Sequence, residues 1–403
     1  MRSLSQILTR LTISQSNPSL DFVNLGKNRF TGSVPTHLYE LLSIKLLDLP
    51  DNNFFGVLPM CLGNLIQLRV MDLTNNTITG AIPNSLGSLS YIQSLHLRNN
   101  KFGGNLPVAL QNLSSLVTFD IWNNLLTGLI PSWIGKKLPK IKFLNLQSNM
   151  FMGKIPLELC QNNVLRYLNL ANNRITGIIP RCFYYLTGMI MTSGYFVYNN
   201  IYEENIETYI KGIKLKYTRT LWFLTSLDLS SNKITGEIPD VSMNLKALKN
   251  MNISRNLLSG QIPVGIGNLK QIESLDFSMN MLSGEIPPSL ATLNFLSYLN
   301  LSFNNLSGQI PFGNQLQTLG DPSNIYEGNN ELCGFTLLRS CNRKNLSDTH
   351  IDGKEGKDDL EDWWLYVGIG LGFVVGFIGL IGSLYFIKEW KVGYFEIIEN
   401  VYT

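Results

Sequence analysis

The stretch Leu293–Pro311, with the sequence LNFLSYLNLSFNNLSGQIP, decides the fold of this chain. Leu299 and Leu301 lie two residues apart, which directs both side chains to one side of a short strand. The two earlier leucines of the stretch are expected to pack on the opposite, convex side. Asn304 is predicted to turn inward, where its amide can satisfy backbone groups of a neighbouring coil. The Gly-x-x-Pro segment that follows predicts an extended return path.

The same stretch recurs along most of the chain, with prolines 24 or 25 residues apart except for one interval of 59. These prolines are Pro35, Pro59, Pro83, Pro107, Pro131, Pro156, Pro180, Pro239, Pro263, Pro287 and Pro311. An asparagine, here called the ladder asparagine, lies seven residues before each proline, and the leucine spacing is typical of leucine-rich repeats. Because one unit cannot bury its leucines alone, we predict an α/β-type repeat solenoid: a right-handed superhelix of eleven coils with a parallel strand in each.

The long interval equals one 24-residue repeat plus 35 further residues (59 − 24 = 35), which predicts an insertion, called the island, at 182–221. The island is rich in tyrosine and methionine: Tyr184, Tyr185, Met189, Met191, Tyr195, Tyr198, Tyr202, Tyr209 and Tyr217. A long insertion in a solenoid is either a tolerated loop or a binding element. Aromatic residues anchor interfaces, which favours the binding element.

The cysteines are placed where a solenoid needs covalent support. The last repeat ends at Asn304, and an exposed solenoid end requires a cap. Cys333 and Cys341, eight residues apart, are predicted to form a disulfide bond that closes a cap at 320–345 in an oxidising compartment. Cys160 and Cys182 lie on successive coils and are a second candidate pair, whose bonding the sequence leaves open.

The C-terminal region has the composition of a membrane anchor. An acidic spacer at 346–363 precedes a predicted transmembrane helix at 364–387. Residues 365–387 carry no charge and, at about 1.5 Å per residue, are long enough as a helix to cross a bilayer. The predicted cytoplasmic tail at 388–403 is too short for a kinase or another catalytic domain.

Small residues form a stripe along the predicted membrane helix. Gly368, Gly372 and Gly376 are spaced by four residues, so they would lie on one face and let a second helix approach closely. We predict transmembrane packing at these glycines. The alternative is that glycine is simply common in membrane helices.

The orientation follows from N-x-[ST] glycosylation acceptors, all of which precede the predicted span. They are Asn75, Asn112, Asn252, Asn300, Asn305 and Asn345. With the cap cysteines they place the repeats outside the cell, as in a single-pass type I protein of the plasma membrane. The remaining predicted segments are an irregular N-terminal remnant at 1–19, seven coils at 20–181 and four coils at 222–319.

The composition disfavours several functions. A net charge of +3 without a Lys/Arg cluster gives no footprint for nucleic acid. The three histidines have no metal-ligand spacing, and no Ser/His/Asp arrangement is suggested. We therefore expect neither an enzyme nor a cofactor.

The strand positions six, four and two residues before each ladder asparagine are predicted to form the concave face. In the first seven repeats they vary and supply the candidate ligand-binding residues Phe22, His96, Arg98, Trp122, Phe143 and Tyr167. Exposed aromatic and arginine side chains on such a face suggest ligand contact. The alternative is that the aromatic residues pack on each other across adjacent coils. In the last four repeats these positions are nearly uniform, from Ser226 to Ser302, which indicates a solvated surface or one for a common partner.

The chain resembles plant leucine-rich-repeat receptor-like proteins without a kinase, of the kind that includes the Cf resistance proteins and the fungal-xylanase receptors. The resemblance covers nearly everything from Leu20 to the end, in the order repeats, island, four repeats, cysteine cap, acidic spacer, membrane helix and tail. In this family the island ends with a Lys-Gly step and a tyrosine. Lys211, Gly212, Lys214 and Tyr217 match it and are candidate island or co-receptor residues.

The resemblance implies a plant-type superhelix and a receptor for an extracellular elicitor or peptide ligand, anchored in membrane lipid and acting in plant defence. It also implies signalling through an adaptor receptor kinase and a co-receptor kinase of the somatic-embryogenesis type. Family members begin with a secretory signal, a paired-cysteine cap and more repeats, whereas 1–19 lacks a signal-peptide pattern, so we expect an N-terminally truncated chain. The alternatives are a non-signalling decoy and a binding protein that inhibits a cell-wall enzyme.

Overall fold

A computed structural model describes residues 20–191 and 202–334, together with Leu337 and Cys341. Each coil contributes one strand of three residues to an eleven-stranded sheet, in which every pair of neighbours is parallel. These strands are Phe22–Asn24, Leu46–Asp48, Val70–Asp72, Ser94–His96, Thr118–Asp120, Phe143–Asn145, Tyr167–Asn169, Ser226–Asp228, Asn250–Asn252, Ser274–Asp276 and Tyr298–Asn300. The predicted eleven coils, each with a parallel strand, are confirmed.

The extended segments around the Gly-x-x-Pro motif form a second, twelve-stranded parallel sheet, which the sequence reasoning did not foresee. Its strands are Thr31–Gly32, Asn53–Val57, Thr77–Ala81, Lys101–Gly104, Leu125–Leu129, Met150–Lys154, Arg174–Gly177, Lys233–Glu237, Leu257–Gly260, Met281–Glu285, Asn305–Gln309 and Glu331–Cys333. The motif glycines that follow the ladder asparagines adopt positive φ, as at Gly308 (φ 82°), where a side chain would be strained. The motif proline then starts the return turn.

The return turns are short helices that begin one residue after the motif proline. The 3₁₀ helices are Thr36–Glu40, Met60–Asn64, Asn84–Ser88, Val108–Asn112, Leu157–Gln161, Arg181–Tyr185, Asp240–Asn244, Val264–Asn268 and Pro288–Thr292, with further turns at Thr187–Met189 and Leu221–Phe223. The coil with the 25-residue spacing instead holds an α-helix, Trp133–Lys137. The extra residue there allows the wider hydrogen bond from Lys136 to Ser132, at 3.3 Å.

The leucines of each coil fill one continuous core between the two sheets and the helical turns. Leu293, Leu296, Leu299 and Leu301 are at most 4% exposed, and each packs against residues of adjacent coils. Burying one such side chain contributes about 1.5–3 kcal/mol, which a single unstacked coil would forgo.

The ladder asparagines hold neighbouring coils in register, as predicted. Asn100 shows the arrangement: its amide nitrogen donates to the carbonyl of Leu73 on the previous coil at 2.9 Å and to Leu97 in its own coil at 3.1 Å. Its amide oxygen accepts the N–H of Ile78 at 3.0 Å. One buried side chain thus satisfies backbone groups that have no ladder partner.

The cap imitates one more coil. Asn329 takes the ladder position, donating to Leu301 at 3.0 Å and accepting from Leu306 at 2.9 Å, and the strand Glu331–Cys333 extends the second sheet. Two short α-helices, Asn314–Thr318 and Pro322–Tyr326, cover the last core leucines. Cys333 and Cys341 are bonded, with their Cα atoms 5.1 Å apart, which confirms the predicted cap disulfide. Cys160 and Cys182 are also bonded, which answers the question that the sequence left open.

The described part of the island from residue 202 onward contains a two-stranded antiparallel hairpin, Ile206–Ile210 and Ile213–Tyr217, called the hairpin below. Before it, the coil of Asn173 continues through Phe183, Leu186 and Met189, all fully buried in the core. The repeat therefore extends past the predicted start of the island at 182.

The described residues contain no helix long and apolar enough to span a bilayer. The predicted transmembrane helix at 364–387, its packing glycines at 368, 372 and 376, and the predicted segments at 1–19, 346–363 and 388–403 lie outside the described residues.

Candidate functional site: a hairpin docked on the eleven-stranded sheet

The hairpin turns tightly because of its Lys-Gly step. Lys211 and Gly212 both have positive φ, 58° and 73°, as the two-residue turn that matches strand twist requires. Strand residues alternate between faces, and Ile206, Thr208 and Ile210 form the buried face, which lies on the eleven-stranded sheet. The Lys211–Gly212 step, which the family resemblance suggested as a co-receptor contact, therefore forms the turn of the hairpin.

The residues that lead into the hairpin bind the sheet through buried charges. His96, fully buried, places Nε2 at 2.6 Å from Oε1 of Glu204 and Nδ1 at 3.7 Å from Oδ2 of Asp120. The Ser94 hydroxyl donates to the other oxygen of Glu204. A carboxylate from the island is thus held by two residues of the fourth coil.

Arg98 extends the same cluster. Its guanidinium donates to Asp120 at 3.0 Å and to the side-chain oxygen of Asn205 at 2.7 Å, and it lies 3.6 Å from Glu207. Since Arg98 is only 3% exposed, these contacts are screened little by solvent. The arginine joins a strand of the sheet to the first strand of the hairpin.

A tyrosine anchors the segment that leads into the hairpin. Tyr202 donates its hydroxyl to Oδ2 of Asp72 at 2.9 Å and accepts from the amide of Asn205 at 3.2 Å. Burial, followed by the nearby Asp72 carboxylate, raises the pKa of Tyr202 well above its usual value. The phenol is therefore a permanent donor in this cluster.

The electrostatics of the cluster stabilise a buried imidazolium. Burial by itself lowers the pKa of His96, but the nearby carboxylates of Glu204, Asp120 and Asp72 raise it, with a net result of about 10. Burial likewise opposes the ionised form of Asp120, yet the cations of His96 and Arg98 beside it hold its pKa below the usual range. The cluster is a network of paired charges that docks the hairpin.

The middle of the hairpin meets an aromatic residue of the fifth coil. Trp122 is 7% exposed and makes an edge-on contact with Tyr209, with ring centroids 6.2 Å apart. Lys214 places its ammonium 5.4 Å from the centre of the Trp122 ring and pairs with Glu207 at 2.7 Å. Such a cation–π contact contributes about 0.5–1 kcal/mol at an exposed site.

The buried face of the hairpin packs on apolar side chains along its length. Phe143 and Tyr167, both fully buried, form a cluster separate from the main core with Ile206, Ile210, Leu221 and Leu224, against which Val117, Leu215 and Tyr217 also pack. At the turn, Lys211 reaches Glu273 at 3.7 Å, so the hairpin extends over to the later repeats. This exposed pair is worth little in free energy.

The structure corrects the expectation that the candidate ligand-binding side chains are exposed. His96, Arg98, Trp122, Phe143 and Tyr167 are buried because the hairpin covers them. Phe22, on the first coil, remains 46% exposed. The alternative of packing between adjacent coils holds in part, since Phe143 and Tyr167 share one cluster, but they share it with the hairpin.

The uniform positions of the later coils bond mainly to each other. Asn250 donates to the Ser226 hydroxyl at 2.8 Å, and Ser278 donates to Asp276 at 2.7 Å. The hydroxyl of Ser302 bonds Asn300 in the same way. These side chains thus satisfy each other along the strands, which favours the reading as a general polar surface.

The predicted glycosylation acceptors differ in accessibility. Asn75, Asn112 and Asn305 are exposed, whereas Asn252 and Asn300 are half-buried on strands. Asn345 lies outside the described residues. Glycosylation at these positions stays a prediction.

The sequence analysis did not single out Glu204, Asn205 or Glu207, which supply the hairpin's side of the polar cluster. A signal exists in the polar run from Tyr202 to Glu207, YEENIE, which is complementary in charge to His96 and Arg98. Because the two partners are about a hundred residues apart, periodicity alone could not pair them.

The stacked coils, ladder asparagines and docked hairpin define a leucine-rich-repeat solenoid. Eight segments match the Leucine Rich Repeat family: 67–89, 91–113, 115–137, 164–186, 223–245, 247–269, 271–293 and 295–321. Receptor like protein 22 of Arabidopsis thaliana is 56% identical over 186 residues, which cover 46% of this chain and 24% of that protein. With the fold described above, these similarities support a plant leucine-rich-repeat receptor-like protein.

Solved plant receptors share the fold. A TDR receptor aligns with a TM-score of 0.64 and 26% identity over 76% of this chain and 46% of that one. The plant peptide hormone receptor RGFR1 in complex with RGF2 aligns with a TM-score of 0.60 and 29% identity over 72% of this chain and 45% of that one. The chain thus spans about a quarter of the length of the curated relative and under half of these solved chains.

Proposed function

We propose that this protein is a cell-surface receptor-like protein that recognises an extracellular peptide or protein elicitor and signals through partner receptor kinases in plant defence. In this proposal the repeats and the hairpin together form the recognition surface. The repeats face the outside of the cell, and the segment at 364–387 anchors them in the plasma membrane.

The observation that carries this proposal is the docked hairpin. It covers the variable strand positions with a surface of its own, on which Tyr209, Ile213 and Lys214 are exposed. A platform with an exposed tyrosine suits protein recognition, because tyrosine is among the residues that contribute most to the energy of interface contacts. In the uniform repeats the polar side chains bond each other instead.

The comparisons support a ligand-binding role in general terms. One structurally similar protein is a peptide hormone receptor with its peptide bound. An adaptor receptor kinase and a co-receptor kinase of the somatic-embryogenesis type are proposed from the resemblance of the chain order and of the Lys211–Gly212 step. A defence role is proposed on the same ground.

Recognition is testable in plant cells that express the full chain. The cells are exposed to fractionated extracellular extracts from plants and microbes, and the calcium response is compared with that of cells without the chain. We expect a protease-sensitive fraction that acts only on expressing cells, and a reduced response with Tyr209→Ala but not with the distant control Val264→Ala. If every fraction gives the same calcium response in cells with and without the chain, the proposal is contradicted.

Coupling to a partner kinase has its own test. Gly372→Leu and Gly376→Leu together should reduce co-purification of the full chain with an adaptor receptor kinase while surface expression stays intact. Unchanged co-purification would move the proposed association from the membrane helix to the outer repeats.

A further inference from the structure

A polar pocket of about 270 Å³ lies between the first four coils and the hairpin with the segment that leads into it. Its lining includes Asp48, Asp72 and Pro50 from the coils and Tyr202 and Glu207 from the island side. It borders the docked hairpin but is separate from the hairpin's aromatic and apolar contacts.

In most coils the third residue of the strand in the eleven-stranded sheet is acidic or an amide, and its side-chain oxygen makes the same hydrogen bond. Its oxygen accepts the backbone N–H two residues later, as Asp72 does from Thr74 at 2.8 Å and Asp228 from Ser230 at 3.0 Å. In the second coil the residue two positions after Asp48 is Pro50, which has no N–H to donate. The sequence itself removes the usual partner of Asp48.

Asp48 consequently faces the pocket without a donor. Only 8% of the residue is exposed, and no hydrogen bond or ion pair joins its carboxylate to another residue in the described parts of the chain. A buried carboxylate in this state is costly unless something pairs with it.

A second carboxylate lies beside it. Asp48 and Asp72 are paired positions on adjacent parallel strands, so their side chains project from the same face. Burial, together with Asp72, raises the pKa of Asp48 to about 6. Like charges on neighbouring strands repel, and a cation between them would relieve that repulsion.

The cations near this pair are bonded to other groups. The imidazolium of His96 lowers the pKa of Asp48, but it lies against Glu204 and Asp120, and within the described residues it forms no ion pair with Asp48. Arg98 also lines the pocket, but its guanidinium bonds Asp120 and Asn205. Lys27 and Lys216 line it too, and among the described residues neither forms an ion pair with Asp48. No group of three or more metal-ligating side chains occurs in the part of the chain that the structure describes, which disfavours a metal ion.

We propose that this pocket binds the guanidinium of an arginine side chain on the extracellular ligand, with Asp48 as its main acceptor. The planar guanidinium can offer parallel N–H donors to a carboxylate, and the ring of Tyr202 provides an aromatic wall beside it. The inference rests on the proposed function, since it names a chemical group of the ligand that the receptor would recognise.

The test uses the purified full chain and small probes. N-acetyl-arginine amide is titrated at constant ionic strength and followed by ligand-observed NMR, beside N-acetyl-citrulline amide, which has a similar shape without the charge, and N-acetyl-lysine amide. We expect the arginine probe to bind about tenfold more tightly than the citrulline probe. The lysine probe should bind more weakly than arginine because it lacks the planar fork.

Asp48→Asn should abolish the preference for arginine, since it removes the charge and keeps a residue that the first coil carries at the same position, Asn24. Asp276→Asn, at the equivalent position of a distant coil, should leave the preference unchanged. Thermal unfolding checks that both variants fold. Equal binding of the arginine and citrulline probes, or an intact preference in Asp48→Asn, would overturn the proposal. If the probes show no preference but the chain-dependent calcium response persists, only the proposed arginine pocket is refuted. If that response is also absent, the proposed receptor function is refuted as well.

Discussion

Nε2 of His96 lies 2.6 Å from Oε1 of Glu204, which joins a strand of the fourth coil to the segment that leads into the hairpin. The imidazole is fully buried, and its second nitrogen faces Asp120 at 3.7 Å. A residue that the sequence suggested as a ligand contact therefore fastens the island to the solenoid. The variable strand positions are covered by the protein itself, so the hairpin forms the outer surface there.

The charge on His96 makes hairpin docking depend on pH. The pKa of His96 is raised from 6.5 to about 10, so the resulting stabilisation is complete below about 6.5 and is lost as pH rises through 10. The groups that face the ring are Glu204, Asp120 and Asp72, with Arg98 close by. We expect amide protection of the hairpin, corrected for intrinsic exchange, to fall between pH 7 and 10.

The control for this prediction is His96→Gln, whose protection should be lower at pH 7 and nearly flat over the same range. Protection of the wild-type hairpin that stays constant from pH 7 to 10 would show that the imidazolium does not hold it.

Two aspartates at equivalent strand positions should respond in opposite ways to removal of their charge. Burial raises the pKa of Asp228 to about 6, so its ionised form costs stability in full above pH 6, and the cost disappears as pH falls to about 4. Asp228→Asn keeps the acceptor for Ser230 and should stabilise the fold by about 1–3 kcal/mol at pH 7, with no gain at pH 4.

Asp120→Asn should do the reverse. The pKa of Asp120 is held low by His96 and Arg98, and removing its charge leaves both cations without their shared partner. A loss of about 3–5 kcal/mol is expected at pH 7. Urea unfolding of the two variants checks the pair, and a shift of the same sign in both would refute this reading of the buried charges.

Truncating the side chain of a ladder asparagine should destabilise the fold. Asn100→Ala removes donors to Leu73, Leu97 and Arg98 and leaves the N–H of Ile78 unpaired, which should cost about 2–4 kcal/mol. The matched change is Asn99→Gly, one residue earlier, where the half-buried side chain bonds the side chains of Asn75 and Asn123 but no backbone group, and φ is already positive at 52°.

We expect Asn99→Gly to change the melting temperature little, while Asn100→Ala lowers it by several degrees. Comparable melting temperatures for the two variants would mean that the buried amide contributes less than its four hydrogen bonds suggest.

Features that depend on residues within one repeat or its neighbour could be predicted from the sequence. The spacing around Asn304 gave the number of coils, the strands and the role of the amide, because each depends on residues within one coil or its neighbour. The hairpin was equally local, since Lys211 and Gly212 follow an alternating strand pattern that ends in a two-residue turn. The sequence reasoning nevertheless assigned this step a partner-binding role and not a turn.

What the sequence could not reveal is where the island lies. The contacts of Glu204 with His96 and of Tyr202 with Asp72 join residues more than a hundred positions apart, and no periodicity relates the island to the repeats. Burial of His96, Arg98 and Trp122 depends on that placement, so their exposure was predicted wrongly. The second sheet was missed for another reason: the Gly-x-x-Pro segments were predicted only as an extended return path, and their glycines with positive φ interrupt the alternating pattern that indicates a strand.

The most direct test of the docked hairpin is a double-mutant cycle on the His96–Glu204 pair. The free energy of hairpin opening is measured by amide exchange at Thr208 in the wild type, in His96→Gln, in Glu204→Gln and in the double variant. Docking as described predicts a coupling energy of about 1–3 kcal/mol. The same cycle with Glu203→Gln, a glutamate whose side chain is 54% exposed and pairs with Arg219, should give none. A coupling energy of zero for His96 and Glu204 would contradict the account.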